Sequence, residues 1–95
     1  MLRQVLEERK PEILQIAAKY GAESIRVFGS VARGEDTEKS DVDLLVNFDP
    51  PVSLLAHIGL MLDLEDLLGR KVQVVTEPAL HPFLRERVLR EAIPL

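Results

Sequence analysis

Through the amino-terminal segment, Leu2, Val5, Leu6, Ile13, Ile16 and Ala17 recur at helical spacing and define one apolar face. Pro11 either divides this stretch into two helices or kinks one, because it lacks an N–H and crowds the preceding turn, and Gly21 ends it. The period then shortens. Ser24-Ile25-Arg26-Val27-Phe28 alternates as a half-buried strand and runs into Gly29-Ser30-Val31-Ala32-Arg33-Gly34, where a small turn opens a short helix. Beyond the polar loop Glu35-Asp36-Thr37-Glu38-Lys39, a second strand covers about residues 41–48 and stops at Pro50-Pro51. Ser53 can cap a helix over about residues 54–68 that closes at Gly69; Lys71 to Thr76 forms a third strand, and a last helix follows Pro78 or Pro82 as far as about Ala92.

This order of helix, strand, strand, helix, strand and helix predicts an α/β (α+β) layer, a small mixed sheet covered on one face by helices. The 95 residues, 46% of them hydrophobic, suffice for a single domain over residues 1–95 with a modest core, and no repeat, low-complexity tract or linker divides the chain. The helix at 54–68 carries more apolar residues than one stripe requires, since Leu54, Leu55, Ile58, Leu62, Leu64 and Leu68 are joined by Leu60, Met61 and Leu67. A domain this small buries one helix face easily and two with difficulty. The surplus points either to a partner surface, another subunit included, or to further core packing.

Charge narrows the chemistry. Net charge is −4 and the aromatic residues are only Tyr20, Phe28, Phe48 and Phe83, which argues against a nucleic-acid acceptor, because such binding draws on phosphate neutralisation. Arg70-Lys71 and the Arg85, Arg87, Arg90 series are the basic groupings, and a solvated helix face accounts for the second. With no cysteine, disulfides and thiolate metal sites are excluded. The apolar stretch from Val52 to Leu62 is too short to span a bilayer and the charged amino-terminal segment is unlike a signal peptide, so a cytoplasmic location is expected. His57 lacks a partner ligand at helical spacing, His81 precedes Pro82 at a helix start, and Tyr20 precedes a helix-ending glycine; structural roles are expected for all three.

The chemically specific feature is Gly29-Ser30 followed by Asp41-Val42-Asp43, with a hydrophobic run on each side. Two aspartates two apart on a strand point to the same face of the sheet, and their carboxylates repel unless a cation lies between them. That arrangement suits Mg²⁺. A Gly-Ser turn at the end of the neighbouring strand can offer backbone N–H groups and a hydroxyl to a phosphate chain whose oxygens the same metal bridges. Gly-Ser alone is an ordinary turn, and Asp-x-Asp alone is ordinary strand-start polarity; their combination at this spacing favours phosphate and metal binding.

The run from Phe28-Gly29-Ser30-Val31-Ala32-Arg33-Gly34 to Ser40-Asp41-Val42-Asp43-Leu44-Leu45-Val46 resembles the signature of the polymerase-β-like nucleotidyltransferase superfamily, and the short chain resembles its minimal (MNT) branch. The resemblance implies that fold, an Mg²⁺- or Mn²⁺-dependent transfer of a nucleoside monophosphate from ATP or another NTP to a hydroxyl, and a role as the antitoxin of a HEPN-domain toxin. It further implies that Gly29 and Ser30 hold the triphosphate, that Asp41 and Asp43 bind the divalent metals, and that Arg33 and Ser40 support the phosphate or the loop. One position departs from the pattern: where the family places a third carboxylate on a later strand, this chain has Gln73. An amide carries no charge and cannot act as a base, and losing a general base costs about 10²–10⁴-fold. Glu77, roughly 13 Å further along an extended chain, is not expected to replace it. The alternative to slow transfer is therefore a catalytically degenerate binding module that masks its partner without turnover.

Overall fold

The computed structural model describes residues 2–95. Pro11 divides the amino-terminal segment: α1 spans Leu2–Glu8 and α2 spans Lys10–Lys19, with Pro11 in the first turn of α2, where a backbone N–H would have no helical partner in any case. Strand β1 (Ala22–Phe28) leads into the short helix α3 (Gly29–Arg33), and β2 (Val42–Phe48) follows the polar loop. Helix α4 covers Leu54–Leu68; the Ser53 hydroxyl accepts the Ala56 N–H at 3.2 Å at its start, and Gly69 closes it in the left-handed conformation. Strand β3 (Val72–Val75), a 3-10 turn (Glu77–Ala79), α5 (Pro82–Glu91) and β4 (Ile93–Pro94) complete the order.

The sheet runs β3-β2-β1-β4, with β1 antiparallel to β2 and β4 and with β2 parallel to β3. Parallel pairing of consecutive strands needs a crossover, which α4 supplies. Side chains from one sheet face (Ile25 and Val27, Val42, Leu44 and Val46, Val72 and Val74) pack with Leu6, Ile13, Leu60 and Leu64 from the helices into one core.

Two features differ from the sequence expectation. The second face is only partly open, since Leu45 is 1% exposed although it lies opposite the core face. The 3-10 turn packs against β2 there, and Glu77 ties it down through Arg26 at 3.8 Å and Arg85 at 2.9 Å. The carboxyl-terminal β4 was not anticipated: Ile93 and Pro94 pair with Val27 and Arg26, and the Leu95 N–H donates to the Ile25 carbonyl at 3.1 Å.

Helix α4 resolves its apolar surplus into two populations. Leu60 and Leu64 are fully buried, whereas Leu54, Leu55 and Leu62 are 73%, 82% and 51% exposed. Among the described residues no helix is long and apolar enough to cross a membrane. Leu64→Ala is expected to cost about 2–5 kcal/mol of unfolding free energy in urea titration, through lost transfer energy and a residual cavity. Leu62→Ala should stay within about 1 kcal/mol of the parent. Equal losses at both positions would contradict this division of the helix.

Candidate active site at the ends of adjacent strands

Strand register alone assembles the site. Phe28 is opposite Asp43 in the β1–β2 ladder, and Asp43 is opposite Gln73 in the β2–β3 ladder, so the turn that follows Phe28, the second aspartate and the glutamine are neighbours across three strands. Asp41 lies one residue ahead of β2 rather than on it. Its Oδ2 accepts the Gln73 side-chain amide at 3.3 Å. Since an ionised carboxylate only accepts hydrogen bonds, it is the NH₂ end of Gln73 that faces Asp41. The glutamine thus lends the site a donor.

Gly29 is required twice over. Its φ of +73° is a conformation that side-chain-bearing residues avoid, and a Cβ at this position would collide with Asp43 Oδ2 and approach Asp43 Cγ to 3.1 Å. The bend and the second aspartate therefore lie in direct contact. Ser30 follows, half-buried at the second position of α3.

The structure adds a carboxylate that the sequence reading missed. Glu91, the last residue of α5, accepts the Gly29 N–H at 3.2 Å and Arg33 Nη1 at 3.0 and 3.1 Å through its two oxygens. Arg33 Nε donates to Glu35 at 2.8 Å, while Nη2 takes no part in either bond. Gly29 and Glu91 are 62 positions apart in the chain, so no local motif marks the pairing.

Ser40 shapes the loop. Its hydroxyl accepts the Thr37 N–H at 2.8 Å, and Arg70 braces the same turn by donating to the Thr37 and Ser40 carbonyls at 3.0 and 3.1 Å. Glu77 is engaged with Arg26 and Arg85, away from the aspartates. His57 Nε2 donates to the Val74 carbonyl at 2.9 Å, His81 Nδ1 accepts the Phe83 N–H at the start of α5, and the Tyr20 hydroxyl donates to Asp63 at 2.7 Å. A cavity of about 410 Å³, lined by Phe48, Val52, His57 and Thr76 among others, lies at the opposite end of β2 from the aspartates. The acidic pair sits at the other end of β2, with both aspartates partly exposed.

Burial raises the Asp43 carboxyl above its ordinary proton affinity, with the Asp41 charge as the second cause; Arg33 opposes the shift and Glu91 adds to it. This strain fits a divalent cation. Among the described residues no group of three or more His, Cys, Asp or Glu side chains gathers to hold a metal unaided. Two carboxylates match an ion such as Mg²⁺, which takes one or two from the protein and completes its shell with water and phosphate oxygens.

A raised native-state proton affinity means that stability present below the ordinary value of 3.8 is lost as pH rises through the shifted one. Without divalent cations, Asp43→Asn should therefore melt a few degrees above the parent at pH 7, with the gap closing near pH 3. A parent that matches or exceeds the variant at pH 7 would contradict a strained Asp43.

Comparison with known proteins identifies the family. A family model for the nucleotidyltransferase domain matches residues 6–95. A solved structure of a candidate minimal nucleotidyltransferase superimposes with a TM-score of 0.86 at 54% identity, covering 98% of this chain and 95% of that one. The protein adenylyltransferase MntA of Thermococcus cleftensis is 40% identical over 92 residues, 97% of this chain and 90% of its own length. A toxin–antitoxin complex solved with AMP-PNP contains a chain of the same fold, with a TM-score of 0.75 at 21% identity, covering 88% of this chain and 69% of that one. With a sequence match over nearly its whole length and the acidic pair seated beside the Gly-Ser bend, this chain belongs to the nucleotidyltransferase domain family.

Proposed function

We propose that the protein is an antitoxin that transfers a nucleoside monophosphate from ATP or another NTP to a hydroxyl on its partner, a HEPN-domain toxin. The observation that carries this reading is the contact between the Gly29 bend and Asp43, with Asp41 beside it. The relative from Thermococcus cleftensis is named as a protein adenylyltransferase, and a neighbour of the same fold was solved as a toxin–antitoxin complex with AMP-PNP, which supports the substrate and the partner. The exposed Leu54, Leu55 and Leu62 on α4 supply apolar area for such a partner.

Asp41 and Asp43 would hold Mg²⁺ or Mn²⁺, which would supply charge neutralisation for the triphosphate. Asp41 and Asp43 hold that charge at the strand ends. Gly29 leaves space on its Asp43 side for that carboxylate, Ser30 would offer its hydroxyl to the triphosphate, and Arg33 offers its Nη2 to a phosphate oxygen while Nη1 and Nε anchor it. In the transfer, the acceptor oxygen bonds to the α-phosphorus, the bond from that phosphorus to the bridging oxygen breaks, and pyrophosphate leaves. The hydroxyl proton passes to solvent; Gln73 cannot take it. The chemistry depends on positioning and charge more than on covalent assistance, which a module of this size can provide.

A second reading is favoured by one observation. Gln73 donates to Asp41 and thereby occupies part of an acidic ligand's acceptor capacity, as expected of a module that masks its toxin without turnover. Incubating the protein with labelled ATP, Mg²⁺ and the toxin separates the two. Transfer to the toxin should fall at least about 10²-fold in the Asp41→Asn, Asp43→Asn double variant. Toxin neutralisation that survives the double substitution, with no labelled product from the parent, would establish the mask instead.

A further inference from the structure

We infer that Glu91 is a positioning residue of this site: its single carboxylate holds the Gly29 amide and the Arg33 guanidinium together and so presets the turn that faces the triphosphate. The inference rests on the nucleotide-binding reading above. Its basis is the convergence of three donor contacts on one side chain, with Oε2 accepting from both Gly29 N–H and Arg33 Nη1 while Oε1 accepts from Arg33. The Glu91 side chain is 17% exposed, less than half the 37% of Arg33, so this pair is better shielded than the Arg33–Glu35 pair, where Glu35 is 63% exposed.

Glu91 is itself anchored by the fold. Immediately after it the chain turns at Ala92 into β4, whose Ile93 and Pro94 pair with Val27 and Arg26 on the strand that launches Gly29. One ladder thus sets both the start of the turn and the root of the carboxylate that holds it. Gly29 in turn abuts Asp43, so displacement of the turn would move the backbone away from the acidic pair. Preorganisation of this kind lowers the ordering cost of binding without touching the reacting atoms.

The test uses full-length parent protein, Glu91→Gln, Arg33→Gln and the double variant, with Mg-ATP binding followed by calorimetry, the kinetics of label transfer to the toxin, and the thermal midpoint of each. If Glu91 acts through Arg33 and the turn, Glu91→Gln should weaken Mg-ATP binding and raise KM by about 10-fold with kcat changed less than about 3-fold, at a midpoint that leaves the variant folded at the assay temperature. The double variant should then be little worse than either single one. Arg33→Gln tests the same link from its exposed end should Glu91→Gln fail to fold. Unchanged affinity in the folded variants would reduce the contact to a structural one and overturn the inference. Tighter binding in Glu91→Gln would overturn it too, by showing that the carboxylate occupies the place of the incoming anion. A parent that binds no nucleotide removes the functional reading and this inference together, an outcome distinct from loss confined to the variants.

Discussion

The structure turns on the proximity of two carboxylates to a backbone bend. Asp43 presses against Gly29 closely enough to forbid any side chain there, and Asp41 stands alongside with the Gln73 amide on its oxygen. Partial burial and like charge make this arrangement unfavourable for the protein alone, as the raised proton affinity of Asp43 records. Arg33 is the cation that offsets it within the chain, and Glu91 and Glu35 already claim that guanidinium. A divalent cation held by the two carboxylates would offset this charge, and the missing side chain at Gly29 is what lets Asp43 sit against the bend.

The surrounding fold serves to hold that proximity. The β1–β2 register puts Phe28 opposite Asp43, the β2–β3 register puts Gln73 on the other side, and α4 provides the crossover that makes the second pairing parallel. Arg70 and Ser40 brace the loop that delivers Asp41. Strand β4 and Glu91 close the circuit from the carboxyl-terminal side. The exposed leucines of α4 lie outside this circuit and leave an apolar helix face uncovered within the chain.

Local signals in the sequence were sufficient for most of this. Ser53 and Gly69 mark the ends of α4 because capping is a property of a few adjacent residues, and the Gly29-Ser30 and Asp41-Val42-Asp43 pair is legible because its chemistry depends on short spacing. What escaped was decided at long range. Glu91 reaches Gly29 across 62 positions, and β4 is too short for any periodicity to announce it. Strand alternation does not announce the burial of Leu45 opposite the core face, which comes from a 3-10 turn held by Glu77. Gln73 stood out as a departure from an acidic pattern, but only the geometry shows that its NH₂ end faces Asp41.

The most direct measurement of the central claim is paramagnetic broadening of backbone amide resonances on adding Mn²⁺ with a non-hydrolysable ATP analogue. The account predicts that broadening begins at Gly29, Ser30, Val42 and Asp43, the residues that line the meeting of bend and acidic pair. Broadening centred on the distant cavity around Phe48 and His57, or none at saturating nucleotide, would contradict it.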